Sequence, residues 1–269
     1  MRNLAVRLAG LTAGAALLAA CSNDAPAAEA DAGQAGVATA FEARAALAPE
    51  IEALPRLAGD SAPIQAINAD LDKLDAMARE AGCGEGAGGY VRTISQPMTG
   101  PDFVSFWIAE EWACEGAAHP SFVQTPVTYD LSTGQRADWS RLLPGLKPAQ
   151  GEAFEDAPTG YVYGYSSPEL GAWWGRKVLA TVSDREWIDQ CRDLLEPAEP
   201  RNDTFRIWAD AEHGAIAISP DFPHAMQACA ETAYMTADDM RANGVDARLM
   251  TALAAAQAAG NWLPREAAE

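Results

Sequence analysis

Positive charge and histidine are both scarce in this sequence. Its 269 residues include 19 Lys and Arg against 38 Asp and Glu, a formal net charge of -19. Nucleic-acid binding needs lysine and arginine to displace the counterions of the phosphate backbone, so the chain is read as no nucleic-acid binder. The same field repels anionic headgroups and anionic glycans, attracts cationic proteins or peptides, and also serves solubility. No C-x-x-C spacing occurs, which argues against a four-thiolate zinc site. No G-x-S-x-G elbow occurs, which removes one route to nucleophilic hydrolysis. Internal repeats are missing as well. With His119, His213 and His224 as the only histidines, metal-centre candidates are few, and neither a metal nor a cofactor is expected.

The uncharged run from Leu8 to Ala20 follows Arg2 and Arg7 and is thirteen residues long, too short to cross a bilayer. It closes in Leu17-Leu18-Ala19-Ala20-Cys21. A positive start, an apolar run and small residues before a cysteine are the parts of a secretory signal. The ending resembles the lipobox of bacterial lipoproteins, in which the cysteine is acylated, as with palmitate, and becomes the first residue. Residues 1–20 are therefore expected to be a signal peptide and Cys21 the lipidation site, with a membrane as partner through the lipid. Losing Arg2 and Arg7 with the signal takes the formal charge from -19 to -21. Residues 21–40, rich in Ala, Asp, Glu and Gly, read as a flexible acidic tether, and residues 41–269 as a single domain. Ser22 behind the cysteine favours the outer membrane, facing the periplasm, within the cell envelope.

Setting Cys21 aside leaves Cys83, Cys114, Cys191 and Cys229, an even number suited to an oxidising compartment. Of the three possible pairings, nearest neighbours are expected: Cys83 with Cys114 and Cys191 with Cys229. Each bond would close a loop of about thirty to forty residues.

Helix-like patterning runs from Phe41 to Leu57 and from Ala62 to Ala81. In the second stretch Ile64, Ile67, Leu71, Leu74 and Met77 share a face, and Gly82 ends it. Strands follow at Val91 to Ser95 and Phe103 to Trp112, a hairpin whose second member is bulky on both sides and so central. A third strand, Phe122 to Leu131, puts Val123, Thr125, Val127, Tyr129 and Leu131 towards the core and its other side towards water or a ligand. Pro144 to Tyr165 reads as a long ordered loop. A helix starts at Ser167-Pro168-Glu169 with Leu170, Trp173, Trp174 and Val178 as its stripe. Another starts at Ser183 with Glu186 completing a capping box. A hairpin spans Phe205 to Ala209 and Ala215 to Ile218, an extended segment runs from about Ala228 to Met235, Thr236 caps a short helix, and an alanine-rich helix covers Val245 to Ala259. The result is an α+β fold, a mostly antiparallel sheet with helices packed on one face and two disulfides.

Three segments carry a resemblance: Pro63-Ile64-Gln65-Ala66-Ile67-Asn68 opening a helix, Glu115-Gly116-Ala117-Ala118-His119-Pro120 followed by Thr128-Tyr129-Asp130-Leu131-Ser132-Thr133-Gly134, and the closing hairpin-strand-helix unit. Together they resemble a family of exported bacterial domains of unassigned activity. That family includes the lysozyme-sensing ectodomain of a membrane anti-sigma factor and the accessory domain of a secreted peptidoglycan deacetylase. The resemblance covers about residues 63–243 and implies a rigid envelope-side recognition module. The core cysteines, the aromatic insertion and the lipid anchor are not part of that pattern. A sigma-factor role and a deacetylase activity do not transfer.

His119 and His224 lie in X-Pro turns that could bring both rings to one end of the sheet. A metal there would also need a carboxylate such as Glu115 or Asp221, and hydrogen bonding to nearby backbone explains such loop histidines as well. His213 lies in a hairpin turn and is read as solvated. Glycan cleavage would call for facing carboxylates, for which Glu110, Glu111 and Glu115 are available. Tyr161, Tyr163 and Tyr165, beside the acidic residues Glu152, Glu155 and Asp156, suit a sugar or a cationic protein partner. Trp173 and Trp174 are assigned to core packing. The expected ligand-binding set is thus His119, Glu115, Tyr161, Tyr163 and Tyr165, in a lipid-anchored binding protein without catalytic activity whose ligand is a cationic, lysozyme-like protein or a cell-wall glycan. A peptidoglycan-directed hydrolase, or an inhibitor of one, is the competing class.

Overall fold

A computed structural model describes residues 39–83, 88–152 and 155–263. The signal peptide, Cys21, nearly all of the tether and residues 264–269 lie outside the described residues. A two-strand ribbon pairs β1 (Phe41–Glu42) with β2 (Arg56–Leu57). Helix α1 (Ala62–Glu80) follows, opened by a proline in its first turn. Next come β3 (Gly88–Thr99), β4 (Phe103–Cys114), β5 (Ser121–Asp130) and β6 (Gln135–Arg136), an antiparallel sheet in that spatial order. Gly134, at φ 72°, turns the chain between the last two, and a Cβ there would lie 2.6 Å from the Pro63 backbone.

Helix α2 (Trp139–Leu142), β7 (Ala149–Gln150), β8 (Tyr165–Ser166), α3 (Pro168–Thr181) and α4 (Arg185–Leu195) come next. The chain closes with β9 (Phe205–Asp210), β10 (Ala215–Pro220), a 3-10 turn (His224–Cys229), β11 (Ala233–Met235), α5 (Ala237–Ala242) and α6 (Ala247–Ala259). A second antiparallel sheet has the order β11-β10-β9-β8-β7. The architecture is α+β, and each sheet carries helices on one face.

Alternation along the strands explains the two cores. Val104, Phe106 and Ile108 of β4, with Val127 and Tyr129 of β5, pack on Ile67, Leu71 and Leu74 of α1. Ile207 and Ala209 of β9, with Ile216 and Ile218 of β10, pack among Leu170, Trp174, Val178, Ile188, Leu249 and Leu253 from the later helices. Trp107 and Trp208 meet between the sheets, ring centroids 4.8 Å apart, beside Ala217. The Thr128 hydroxyl also accepts the Ala209 N–H at 3.2 Å. Strand β4 is central, as its two bulky sides require, and Trp173 and Trp174 are core residues. Both disulfides are present as expected, Cys83–Cys114 with Cα atoms 5.3 Å apart and Cys191–Cys229 at 5.6 Å.

Four segments differ from the sequence reading. Phe41 to Leu57 is extended, not helical: Pro49 and Pro55 remove donors, Glu50 takes φ 62°, and the chain bonds to β3 through Glu52 N–H to Arg92 C=O and Arg92 N–H to Glu50 C=O. Its end is held by buried charge, with Arg56 reaching Asp75 at 2.8 Å and Arg92 reaching the same carboxylate at 2.8 Å. The α4 cap is Asp184, whose carboxylate accepts the Trp187 N–H at 3.1 Å, rather than Ser183. The stretch around Cys229 is a 3-10 turn before a three-residue strand, because Cys229 is tied to α4 and Trp187 Nε1 donates to the Ala228 carbonyl at 2.9 Å. The polar side of β5 is not open along its whole length. Thr128 meets β9, and Asp130 meets Arg248 of α6.

Candidate functional site

A cleft of about 670 Å³ runs along the middle of β5. Residues 123–128 line it in unbroken succession, flanked on one side by Glu110 and Trp112 of β4 and by Met77 and Glu80 at the end of α1. On the other side stand Tyr161, Tyr163 and Tyr165, with Arg206 and Asp221 behind them. A smaller hollow of about 180 Å³ shares Val123, Arg206 and Asp221 with the cleft and adds His119, Phe122 and His224. Phe122 is 49 % exposed, Val123 40 % and Tyr161 39 %, so the exposed apolar surface of this region gathers at one place.

The tyrosine segment is positioned by a residue that sequence reasoning missed. Arg136, at the end of β6, donates from Nη1 to the Tyr161 carbonyl at 2.8 Å and from Nη2 to the Gly160 carbonyl at 2.6 Å. Its Nε donates to Asp70 at 2.7 Å, and Asp70 also accepts the Tyr129 hydroxyl at 2.8 Å. Nothing local marks Arg136, because its partners lie on α1 and about 25 residues downstream. Tyr161 and Tyr163 meet edge to face at 4.9 Å. Tyr165 is more deeply set, and burial, followed by the Asp138 charge, pushes its phenol up to about 12.

On the opposite wall the Tyr90 hydroxyl donates to Glu110, and its ring stacks on Trp112 at 5.3 Å. Burial and that hydrogen bond raise the Tyr90 phenol well above its ordinary value. Behind the tyrosines Arg206 is paired with Asp221. Burial lowers the Arg206 guanidinium, and the pull of Asp221 only partly offsets this. The charged groups of the cleft are thus mostly committed to partners, which suits fixed hydrogen-bonding and stacking walls.

The structure brings together three of the five expected binding residues, Tyr161, Tyr163 and Tyr165, and sets His119 in the adjoining hollow. His119 and His224 do meet, stacked at 4.2 Å with ring planes 9° apart, and His119 Nδ1 lies 2.9 Å from the Pro120 carbonyl. Glu115 stands exposed in the β4–β5 turn and lines neither hollow. His213 is not simply solvated: it stacks on Tyr234 at 3.9 Å, with Nδ1 3.0 Å from Asp210. Among the described residues no group of three or more His, Cys, Asp or Glu is arranged to hold a metal ion. No family model matches the chain, and a search of the curated proteins finds no match.

Proposed function

We propose that the chain is a non-catalytic binding protein of the cell envelope, held to a membrane by a lipidated Cys21, whose cleft beside β5 receives a protein or glycan ligand. One observation carries the reading: a cleft of the size that ligands occupy, walled by aromatic rings and by charged side chains already hydrogen-bonded in place. The likeness of the Gly116–Pro120 loop to exported recognition domains agrees with it, and so does the lipobox-like ending at Cys21.

The test has two parts. Radioactive palmitate should label the chain and not its Cys21→Ser variant. Detergent-purified chain should retain a ligand from envelope extract, and the double variant Tyr161→Ala with Tyr163→Ala should retain at least about tenfold less. Release of soluble fragments from purified peptidoglycan, abolished by Glu110→Gln, would replace this reading with a hydrolase.

A further inference from the structure

Both hollows are lined by consecutive residues of β5, 123–128 in one and 121–123 in the other. Successive side chains of a strand point to opposite faces, so a cavity that touches them all abuts the edge of the strand. The orientation of that edge follows from one bond. The Thr128 carbonyl points away from β4 and accepts the Ala137 N–H at 2.7 Å. Alternation gives Phe122, Gln124 and Pro126 the same outward orientation. Pro126 fits it, having no N–H to offer β4. Strand β6 pairs only with Tyr129 and Asp130. Among the described residues, no strand follows the outward main-chain groups of Phe122, Gln124 and Pro126.

We infer that the occupant of the cleft is an extended cationic polypeptide segment that adds to the open edge of β5 as a further strand. This rests on the binding role proposed above. An added strand shares the pleat of β5, so its side chains divide between two sides. One side meets Glu80 and Glu110, the latter also accepting the Tyr90 hydroxyl and lying 3.9 Å from Arg92, and the other meets Phe122. Three arginines also line the cleft, but Arg92, Arg136 and Arg206 are held by Asp75, Asp70 and Asp221. The whole chain, at -19, adds long-range attraction for a basic segment.

Proline at position 124 separates this mode from side-chain recognition. Gln124→Pro removes an outward N–H without touching the β4 ladder, whereas Gln124→Ala leaves the main chain intact. With the full chain and a decapeptide of alternating valine and lysine, Gln124→Pro should weaken binding about tenfold and Gln124→Ala less than about threefold. A valine–glutamate decapeptide should bind far more weakly. In the unmodified chain, the Gln124 amide should become protected from hydrogen exchange when the basic peptide binds, a readout that holds even if the proline variant fails to fold. Unchanged binding by Gln124→Pro, equal loss in both variants, or an unprotected Gln124 amide overturns the inference. Binding of a chitin tetrasaccharide in place of the peptides also overturns it and leaves the binding role standing. If envelope extract yields no ligand either, that role falls too.

Discussion

Asp130 and Arg248 meet where the four-stranded sheet reaches α6, with the guanidinium also 4.6 Å above the Phe103 ring. Burial alone would raise the Asp130 carboxyl; hydrogen bonds from Arg248 and Ser132 overcome that and hold it below its usual value. A carboxyl depressed in the folded state adds stability that is fully present above its unfolded value, about 3.9, and lost as the pH falls through the folded one. Urea midpoints should therefore be flat above about pH 5 and fall below about pH 4. In Arg248→Ala the midpoint should be lower at neutral pH and the acid limb shallower. Asp239, held low by Lys177 and Thr236 against its own burial, contributes in the same direction. Neither pair is legible in the sequence, because Asp130 and Arg248 are 118 residues apart and Lys177 and Asp239 are 62 apart. The Ser167 cap was visible: its hydroxyl accepts the Leu170 N–H at 2.9 Å, a contact within one turn.

Helix α4 and the 3-10 turn His224–Cys229 hold each other through Cys191–Cys229 and the Trp187–Ala228 bond. The turn has no fully buried residue of its own, so the bridge restrains it together with the partial packing of Met226 on the core and the His224–His119 stack. Replacing both cysteines by serine should cost about 3–4 kcal/mol by the loop-entropy argument for a span of 38 residues. Denaturant unfolding measures that loss, and hydrogen exchange should show the turn opening before α4. At this scale the sequence was readable wherever an element carries its own period, as in α1, the β9–β10 hairpin and α6, which docks through Leu249, Ala252, Leu253 and Ala256. Phe41 to Leu57 misled because its apolar spacing imitates a helix, while its partners are Asp72, Asp75 and the edge of β3.

Two sheets are joined across the molecule by Trp107 and Trp208, each large and almost fully buried. Trp208→Ala should cost about 3–5 kcal/mol and loosen one sheet against the other. Loss of near-ultraviolet circular dichroism, with far-ultraviolet signal retained, would report it. What the sequence by itself determined is what neighbours along the chain decide: side-chain period, caps, turns, and a cysteine spacing whose shortest loops proved to be the bonded ones. Tertiary structure alone decided that β3 to β11 divide into two sheets, that His119 lies on His224, and that among the described residues no strand pairs with the outer edge of β5 before Tyr129. The cleft along that edge is shaped by Met77 and Glu80, Glu110 and Trp112, residues 123–128 and 161–165, and Arg206, Ile207 and Asp221. No local pattern encodes a void between segments so far apart, because its shape follows from how finished elements pack.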